Sequence, residues 1–266
     1  MKKITTLTIA LLLLVCALLV TDICLTMFGD SKDYTTCGEN GFVFAPNGSY
    51  DNRAYRIVGY DGRNKIVTLP TEYNGKIAYF VDEFAFTDSG VISITVPEGY
   101  GTISDYAFAY NDKLENLTIT DAILVTGNAW KGCKNLKTLT VVNVYIDGPK
   151  DNTLQTCPNL TDLYLELDNL GDLYAEYIKD HPNITNVTLK NAKRIAQEAF
   201  SNCPNLTTLT LDSKLEKIYD GAFENCPNLK TIIYYGDEEL WNSRFADFPA
   251  FQNVEVRFEK DVQEAS

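Results

Sequence analysis

The apolar residues of this chain recur in a spaced triplet, written L-x-x-L-x-L, which appears seven times between residues 91 and 234. The clearest copy is Leu206, Leu209 and Leu211. The last two members are two residues apart, so they lie on one side of an extended strand, while Thr208 and Thr210 lie on the other. A strand this short cannot bury its apolar side alone. The pattern therefore predicts short strands that stack on one another.

A large apolar residue, here called the anchor, precedes each triplet at a nearly constant distance. The steps between successive anchors are 22, 22, 24, 24, 22 and 23 residues, a spacing typical of repeat architectures. This period predicts a β-rich solenoid of about seven coils of 22–24 residues with short helical or irregular turns. We expect the anchors, with Ile195 and Ile218, to close the core opposite the strands. The anchors are Phe86, Phe108, Trp130, Leu154, Ile178, Phe200 and Phe223.

Anchor and triplet belong to one recurring phrase, I-x-x-x-A-F-x-x-C-x-x-L-x-x-L-x-L. Residues 195–234 match it almost letter for letter, and residues 81–141 match it well. Residues 142–189 match more loosely, since Leu154 and Ile178 replace the aromatic anchor. The phrase resembles the BspA-like leucine-rich repeat family of bacterial cell-surface and secreted proteins. The resemblance implies a leucine-rich repeat solenoid that takes part in adhesion to host or matrix proteins.

The segments on either side of the repeats, which span residues 81–234, differ from them in composition. Residues 41–80 hold β-branched and aromatic runs separated by Asp61-Gly62 and Asn74-Gly75, which are hairpin signals. Because a solenoid must cover its open ends, we expect a small β cap at residues 41–80. Residues 235–266 hold an aromatic-rich stretch and a last strand, which predict an aromatic cap followed by a tail.

The beginning of the chain has the composition of an export signal. Lys2 and Lys3 precede an uncharged, mostly apolar stretch at residues 4–20. No clear cleavage motif follows, so residues 1–28 are either a cleaved signal peptide or a retained membrane anchor, with a linker at residues 29–40. Both alternatives place the repeats outside the cytoplasm, in a secreted or cell-surface protein whose membrane contact is limited to this segment.

Charge and motifs limit the classes of function. The net charge of −13 at pH 7 argues against nucleic acid and against anionic membrane surfaces, both of which favour basic patches. The single histidine, His181, takes the position of the repeat cysteine, so it is better explained as a repeat variant than as a catalytic residue. The sequence has no nucleophile motif, phosphate-binding glycine loop or zinc motif. We therefore expect no catalytic residue, no metal and no cofactor.

Four cysteines follow an anchor by three residues: Cys133, Cys157, Cys203 and Cys226. One interpretation is that they are small apolar side chains that fill one column of the core. The other is that they form disulfides, Cys203 with Cys226 or Cys133 with Cys157, because neighbouring coils lie within disulfide range. The sequence leaves both interpretations open.

The outward side of the strands remains for function, and it is rich in hydroxyl groups and nearly uncharged. Threonine favours strands in any case, but solenoids commonly bind partners on such a face. Tyr164 interrupts the threonine column, which makes it the first candidate for a contact. The leading hypothesis is a protein ligand such as a host or matrix protein; the alternatives are an envelope glycan and, remotely, an exported hydrolase. The candidate binding residues are Tyr164, Thr118, Thr140, Thr188, Thr210 and Tyr235.

Overall fold

The computed structural model describes residues 35–37, 39–47, 54–147, 153–167, 171–173 and 177–260, so the predicted export signal lies outside the described residues. The helical elements of this part are one α-helix, α1 (Glu238–Phe245), and 3₁₀ turns at Glu39–Gly41, Thr153–Thr156 and Pro249–Phe251. The strands, in chain order, are β1 (Thr35–Cys37), β2 (Phe42–Pro46), β3 (Ala54–Tyr60), β4 (Ile66–Thr68), β5 (Glu72–Tyr73), β6 (Lys76–Val81), β7 (Ser93–Val96), β8 (Thr102–Ile103), β9 (Asn116–Thr120), β10 (Leu124–Thr126), β11 (Thr138–Asp147), β12 (Asp162–Leu167), β13 (Asp172–Leu173), β14 (Asn186–Lys190), β15 (Arg194–Ile195), β16 (Thr208–Asp212), β17 (Lys217–Ile218), β18 (Thr231–Tyr235) and β19 (Glu255–Glu259).

The apolar triplets form one parallel ladder in the order β4-β7-β9-β11-β12-β14-β16-β18-β19. All seven predicted strands are present, which confirms the leucine-rich repeat solenoid. The nine described strands delimit eight turns, because β4 and β19 extend the ladder at its two ends. The sequence places the run that contains β4 in the N-terminal cap, because no anchor precedes it. The structure places β4 in the ladder instead, with Val67 and the following Leu69 buried like a repeat pair.

A second row of strands forms another wall of the solenoid. In this row β3, β6, β8 and β10 pair in parallel, and the last residues of β11 continue it. Farther along the chain β13, β15 and β17 form a separate parallel sheet. The ten residues of β11 join both walls, since its first half pairs with β9 and β12 and its end pairs with β10.

The first residues of the described chain combine antiparallel strands with the start of the ladder. The strand β2 pairs antiparallel with β3 and with β1, which lies in the segment predicted as a linker. Asn74 and Gly75 have positive φ and connect β5 to β6 as the predicted hairpin. The hairpin predicted at Asp61-Gly62 is wrong, because this turn leads from β3 into the ladder strand β4. A Cβ at Gly62 would lie 2.4 Å from the hydroxyl of Tyr60, so glycine is needed there for close packing.

Anchors and triplets are buried together in one continuous core. Phe200 is 0% exposed, and its ring stacks on that of Phe223 with 4.8 Å between centroids. Leu154 and Ile178, which replace the aromatic anchor, are buried in the same way. Ile195 is buried as well. The prediction that the anchors are buried in one core with the triplets is therefore confirmed.

The repeat cysteines form a column of free thiols beside the anchors. Each thiol donates to the main-chain carbonyl of the anchor in the preceding coil, as in the 3.2 Å bond from Cys203 Sγ to Ile178 O. Burial raises the pKa of Cys133 to about 12 and that of Cys157 to about 11, so these thiols stay protonated at neutral pH. The thiols thus act as small core side chains, the first of the two interpretations.

Aromatic residues after β18 pack on the last triplet and anchor. Asp237 caps the N-terminus of α1, and its Oδ1 accepts a hydrogen bond of 2.6 Å from Leu240 N. Trp241 is buried with its ring 5.0 Å from that of Tyr234. Phe251 is buried 5.3 Å from Phe223. These contacts place apolar surface against the end of the core before the chain enters β19.

The anchor burial yields a stability prediction. Replacing Phe200 with alanine should lower the free energy of unfolding by about 3–5 kcal/mol, because it removes a fully buried ring and leaves a cavity. Urea unfolding followed by circular dichroism measures the loss. Ile123→Ala is the matched control, since Ile123 is apolar but 66% exposed, and surface changes usually stay within about 0.5 kcal/mol. A loss for Phe200→Ala no larger than that of the control would contradict a buried anchor.

Candidate functional site

Most of the predicted binding residues lie in one row across neighbouring ladder strands. Their register is continuous, and most of their side chains are half-buried, because strands about 4.8 Å apart pack their side chains against each other. The outward face of the ladder is therefore a surface of closely packed, partly buried side chains. Thr68 and Arg257, at the two ends, were missed by sequence reasoning because the triplet does not mark β4 and β19. The row consists of Thr68, Thr95, Thr118, Thr140, Tyr164, Thr188, Thr210, Ile233 and Arg257.

A groove with a volume of about 910 Å³ opens beside this row. It lies at the carboxyl ends of the ladder strands β12, β14, β16, β18 and β19. Parallel strands end at one edge of their sheet, so the side chains that directly follow the triplets converge there. The start of α1 contributes Asp237 and Leu240 to the lining. The converging residues are Glu166, Lys190, Asp212 and Tyr235.

Tyr235 lines the groove, and Tyr164 is connected to it through the groove residue Glu166. Lys190 Nζ lies 4.2 Å from the centre of the Tyr235 ring, a cation–π contact. Glu166 is the register partner of Lys190 across β12 and β14. The hydroxyl of Tyr164 donates to Glu166 Oε2 at 3.1 Å. The strand row and the groove are thus continuous, with Tyr164 at their boundary.

A buried carboxylate holds one side of the groove in place. Asp212 Oδ2 accepts from Asn191 N at 2.6 Å, and Asp212 Oδ1 accepts from Lys214 N at 3.1 Å. Lys214 Nζ donates to Asn191 Oδ1 at 2.7 Å. Asn191 has a φ of 60°, a left-handed conformation that asparagine tolerates better than most residues. These bonds join the turns that follow β14 and β16 and so order the groove wall.

The helix α1 is attached to the same wall. Arg244 Nη1 donates to Ser213 O at 3.1 Å and to Leu215 O at 2.6 Å. Because the guanidinium carries its charge to these carbonyls, the bonds are stronger than neutral ones. The helix α1 and the turn after β16 thus bound the groove together, and hydrogen bonds join them.

The sequence carries a signal for the groove at the position directly after each triplet, because the type of residue at this position changes along the chain. This position holds Pro97, Thr120 and Val142 in the first three coils. It then holds Glu166, Lys190, Asp212 and Tyr235 in the last four. The change from uncharged to charged or aromatic residues marks the coils that line the groove.

His181 is not among the groove residues; it lies in the cysteine column. It is 0% exposed, with Nε2 3.3 Å from Cys157 O. Its Nδ1 accepts a hydrogen bond of 3.0 Å from Ile184 N. The imidazole replaces the thiol and keeps its contact with the preceding coil. His181 is therefore a repeat variant, as the sequence indicated, and burial lowers its pKa.

Within the described residues, no three His, Cys, Asp or Glu side chains are grouped so as to hold a metal ion. No helix in this part of the chain is both long and apolar enough to cross a membrane.

The fold and its repeats define a leucine-rich repeat protein. The family model described as the BspA type leucine rich repeat region matches residues 75–173 and 171–260, in six copies. These ranges cover more than half of the chain, and the chain belongs to this family. No curated protein matches the chain.

Several solved structures are similar to the chain at low identity. A leucine-rich repeat protein of T. pallidum is 18% identical with a TM-score of 0.36, over 84% of this chain and 82% of its own. A leucine rich cell surface protein of Faecalibacterium prausnitzii is 15% identical with a TM-score of 0.27, over 82% and 99%. Human 5T4 is 13% identical with a TM-score of 0.45, over 78% and 81%. The family assignment rests on the repeat model and not on these structures.

The buried histidine predicts a pH dependence. The pKa of His181 in the folded protein lies below that of an unfolded histidine, which is about 6.5. The neutral, buried imidazole therefore makes its full contribution to the free energy of unfolding above pH ~6.5, and this contribution is lost as the pH falls below that value. The slope from one proton is at most about 1.4 kcal/mol per pH unit. His181→Cys, which restores the repeat residue, should flatten the fall in stability between pH 7.5 and pH 5. Urea unfolding at both values measures it, and equal slopes for the two proteins would contradict the prediction.

Proposed function

We propose that the protein is an exported, non-enzymatic recognition protein that binds a protein partner, such as a host or matrix protein, at the bacterial surface. The partner contacts the strand row and the groove together. The family assignment supports this proposal, because leucine-rich repeat proteins of this type are typically interaction or surface proteins. The similarity to a protein described as a leucine rich cell surface protein concerns the fold only.

The observation that carries the proposal is the set of residues at the groove. Tyr235 supplies a ring and Lys190 a cation at 4.2 Å from its centre. Glu166 and Asp212 also line the groove, and their carboxylates carry the charge opposite to that of Lys190. Aromatic and paired charged side chains around a preformed hollow are the groups that anchor protein interfaces. The flat threonine row beside the groove adds area and little charge, which suits contact with an extended protein surface.

Binding through the groove can be tested with a matched pair of tyrosines. The full chain is screened against immobilised host matrix proteins, and any partner found is titrated against Tyr235→Ala and Tyr219→Ala. Tyr219 carries Lys217 at 4.2 Å from its ring, the same distance as the groove pair, but lies on β17's side of the solenoid. We expect Tyr235→Ala to weaken binding about tenfold or more, an interfacial hot-spot effect, and Tyr219→Ala to leave it unchanged.

Two outcomes would overturn this assignment. Equal loss of binding in both variants would show that the contact does not depend on the groove. Retention of a glycan by the protein on an array, with loss of that retention in Tyr235→Ala and no protein partner, would assign the groove to an envelope glycan instead. Tyr164→Phe separates the row from the groove, since it removes only the hydroxyl that reaches Glu166.

Export is a separate part of the proposal. The full chain and a chain lacking residues 1–28 are expressed in a bacterial host and fractionated. We expect the full chain outside the cytoplasm and the shortened chain inside it, because the basic and apolar leader is the export signal. The mass of the exported protein distinguishes a cleaved signal from a retained anchor. Identical distributions of the two chains would show that residues 1–28 do not direct export.

A further inference from the structure

In four coils the turn that carries the anchor holds two residues in a left-handed conformation, one two residues before the anchor and one two residues after it. The turn at Trp130 uses only the second of these positions, since Asn128 is not left-handed. At these positions β-branched and bulky side chains are disfavoured, whereas glycine, asparagine and aspartate are tolerated. The described left-handed residues at the second position are Asp88, Tyr110, Gly132, Asp180, Asn202 and Asn225, and those at the first are Phe84, Tyr106, Glu198 and Gly221.

Three of these positions hold aromatic residues: Phe84, Tyr106 and Tyr110, with φ of 60°, 59° and 57°. The same turns in later coils are built with Gly221 or Asn202, so the turn itself does not require a ring. A bulky side chain makes the backbone conformation less favourable. The three aromatic residues thus stand where glycine or asparagine would form the turn more favourably, which indicates that they have a role other than forming the turn.

The three rings form one array on the turn side of the first two coils. The rings of Phe84 and Tyr106 are parallel within 9° at 5.3 Å, and those of Tyr106 and Tyr110 within 7° at 6.4 Å. Phe84 is 49% exposed and Tyr110 is 47% exposed. The array therefore presents a sizeable aromatic surface in a common orientation.

Main-chain bonds between coils hold the array in place. Phe84 N donates to Tyr106 O at 3.2 Å, and Tyr110 N donates to Lys131 O at 2.9 Å. The ring of Tyr110 lies against Gly132, where an added Cβ would be 2.7 Å from the ring. The rings are thus placed by the repeat of the solenoid, with little freedom to lose on binding.

The charges around the array favour a cation. Glu83 and Asp105 each directly precede a ring residue and occupy the same turn position in successive coils. Lys131 Nζ lies 5.8 Å from the centre of the Tyr106 ring, so the chain's own lysine already contacts the array, and the more exposed rings of Phe84 and Tyr110 are left for an incoming cation. Among residues close in sequence, Asp112 pairs with Lys134 at 3.9 Å and Asp82 pairs with Arg56. The net charge of −13 attracts a basic partner over a longer range.

We propose that the array of Phe84, Tyr106 and Tyr110, with Glu83 and Asp105, is a second interaction surface that binds an arginine-bearing peptide segment of a partner protein. A guanidinium is planar, stacks on aromatic rings and pairs with carboxylates, so one side chain can use both features. The array lies in the turns before β7 and β9, in the first two coils, whereas the groove is lined by residues of the last four coils and β19. The two surfaces are therefore independent, and one can fail without the other.

The full chain is tested with a fluorescein-labelled peptide of alternating arginine and glycine, and binding is followed by anisotropy. Peptides with lysine or glutamate in place of arginine serve as comparisons. The main variant combines Phe84→Gly, Tyr106→Gly and Tyr110→Asn, which are residues that this chain uses at the same turn positions. We expect about tenfold or greater loss of arginine-peptide affinity, equivalent to one cation–π contact with a desolvated partner. The unfolding midpoint in urea should stay equal or rise, since the turn favours the new residues.

Control variants separate the contributions. Glu83→Gln with Asp105→Asn should weaken binding and reduce its dependence on salt. Tyr219→Ala, which removes an exposed tyrosine elsewhere, should leave it unchanged.

Equal binding of the arginine peptide by the wild type and the triple variant would overturn the proposal, as would no binding by the wild type. A marked loss of stability in the triple variant would show that the rings serve the fold. Binding of a glycan that depends on the rings, without peptide binding, would assign the array to sugars.

Discussion

The structure depends on one constraint: no coil of this chain can bury its own apolar side. Leu209 and Leu211 of β16 are covered only because Leu189 of β14 and Ile232 of β18 lie beside them in a parallel ladder with continuous register. Anchors such as Phe200 close the other side of the same core. Each coil is therefore stabilised by its neighbours, and every position that faces inward is committed to packing.

The same constraint determines where function can lie. Inward columns admit only replacements that keep their contacts, as His181 does where the other coils have cysteine. Outward positions repeat at the ladder spacing, so a change of residue type along one column alters a whole stretch of surface. The sequence of Glu166, Lys190, Asp212 and Tyr235 after successive triplets produces a groove in this way. Phe84, Tyr106 and Tyr110 produce an aromatic array on the turn side by the same principle.

Much of the fold could be predicted from sequence, because repetition in register turns local patterns into long-range contacts. The seven triplet strands, the anchors and the row of Tyr164 followed directly. The place of β4 in the ladder could not be predicted, because Val67 and Leu69 lack an anchor and the run that contains them resembles the rest of the cap. The turn at Asp61-Gly62 has the chemistry of a hairpin, but that chemistry does not show which wall the next strand joins. The predicted Tyr235 lies in the groove, but its charged neighbours were overlooked.

The sequence by itself determined the period, the inward columns and the membership of the repeat family, because each of these depends on residues at fixed separations along the chain. Only the tertiary structure decided which outward residues meet. Lys190 reaches the ring of Tyr235, and Asp212 is bonded to Asn191 and Lys214, through distances that depend on where strands end and turns fold. Likewise, the left-handed turns that align the three aromatic rings follow from backbone torsions, which a repeated letter pattern does not reveal.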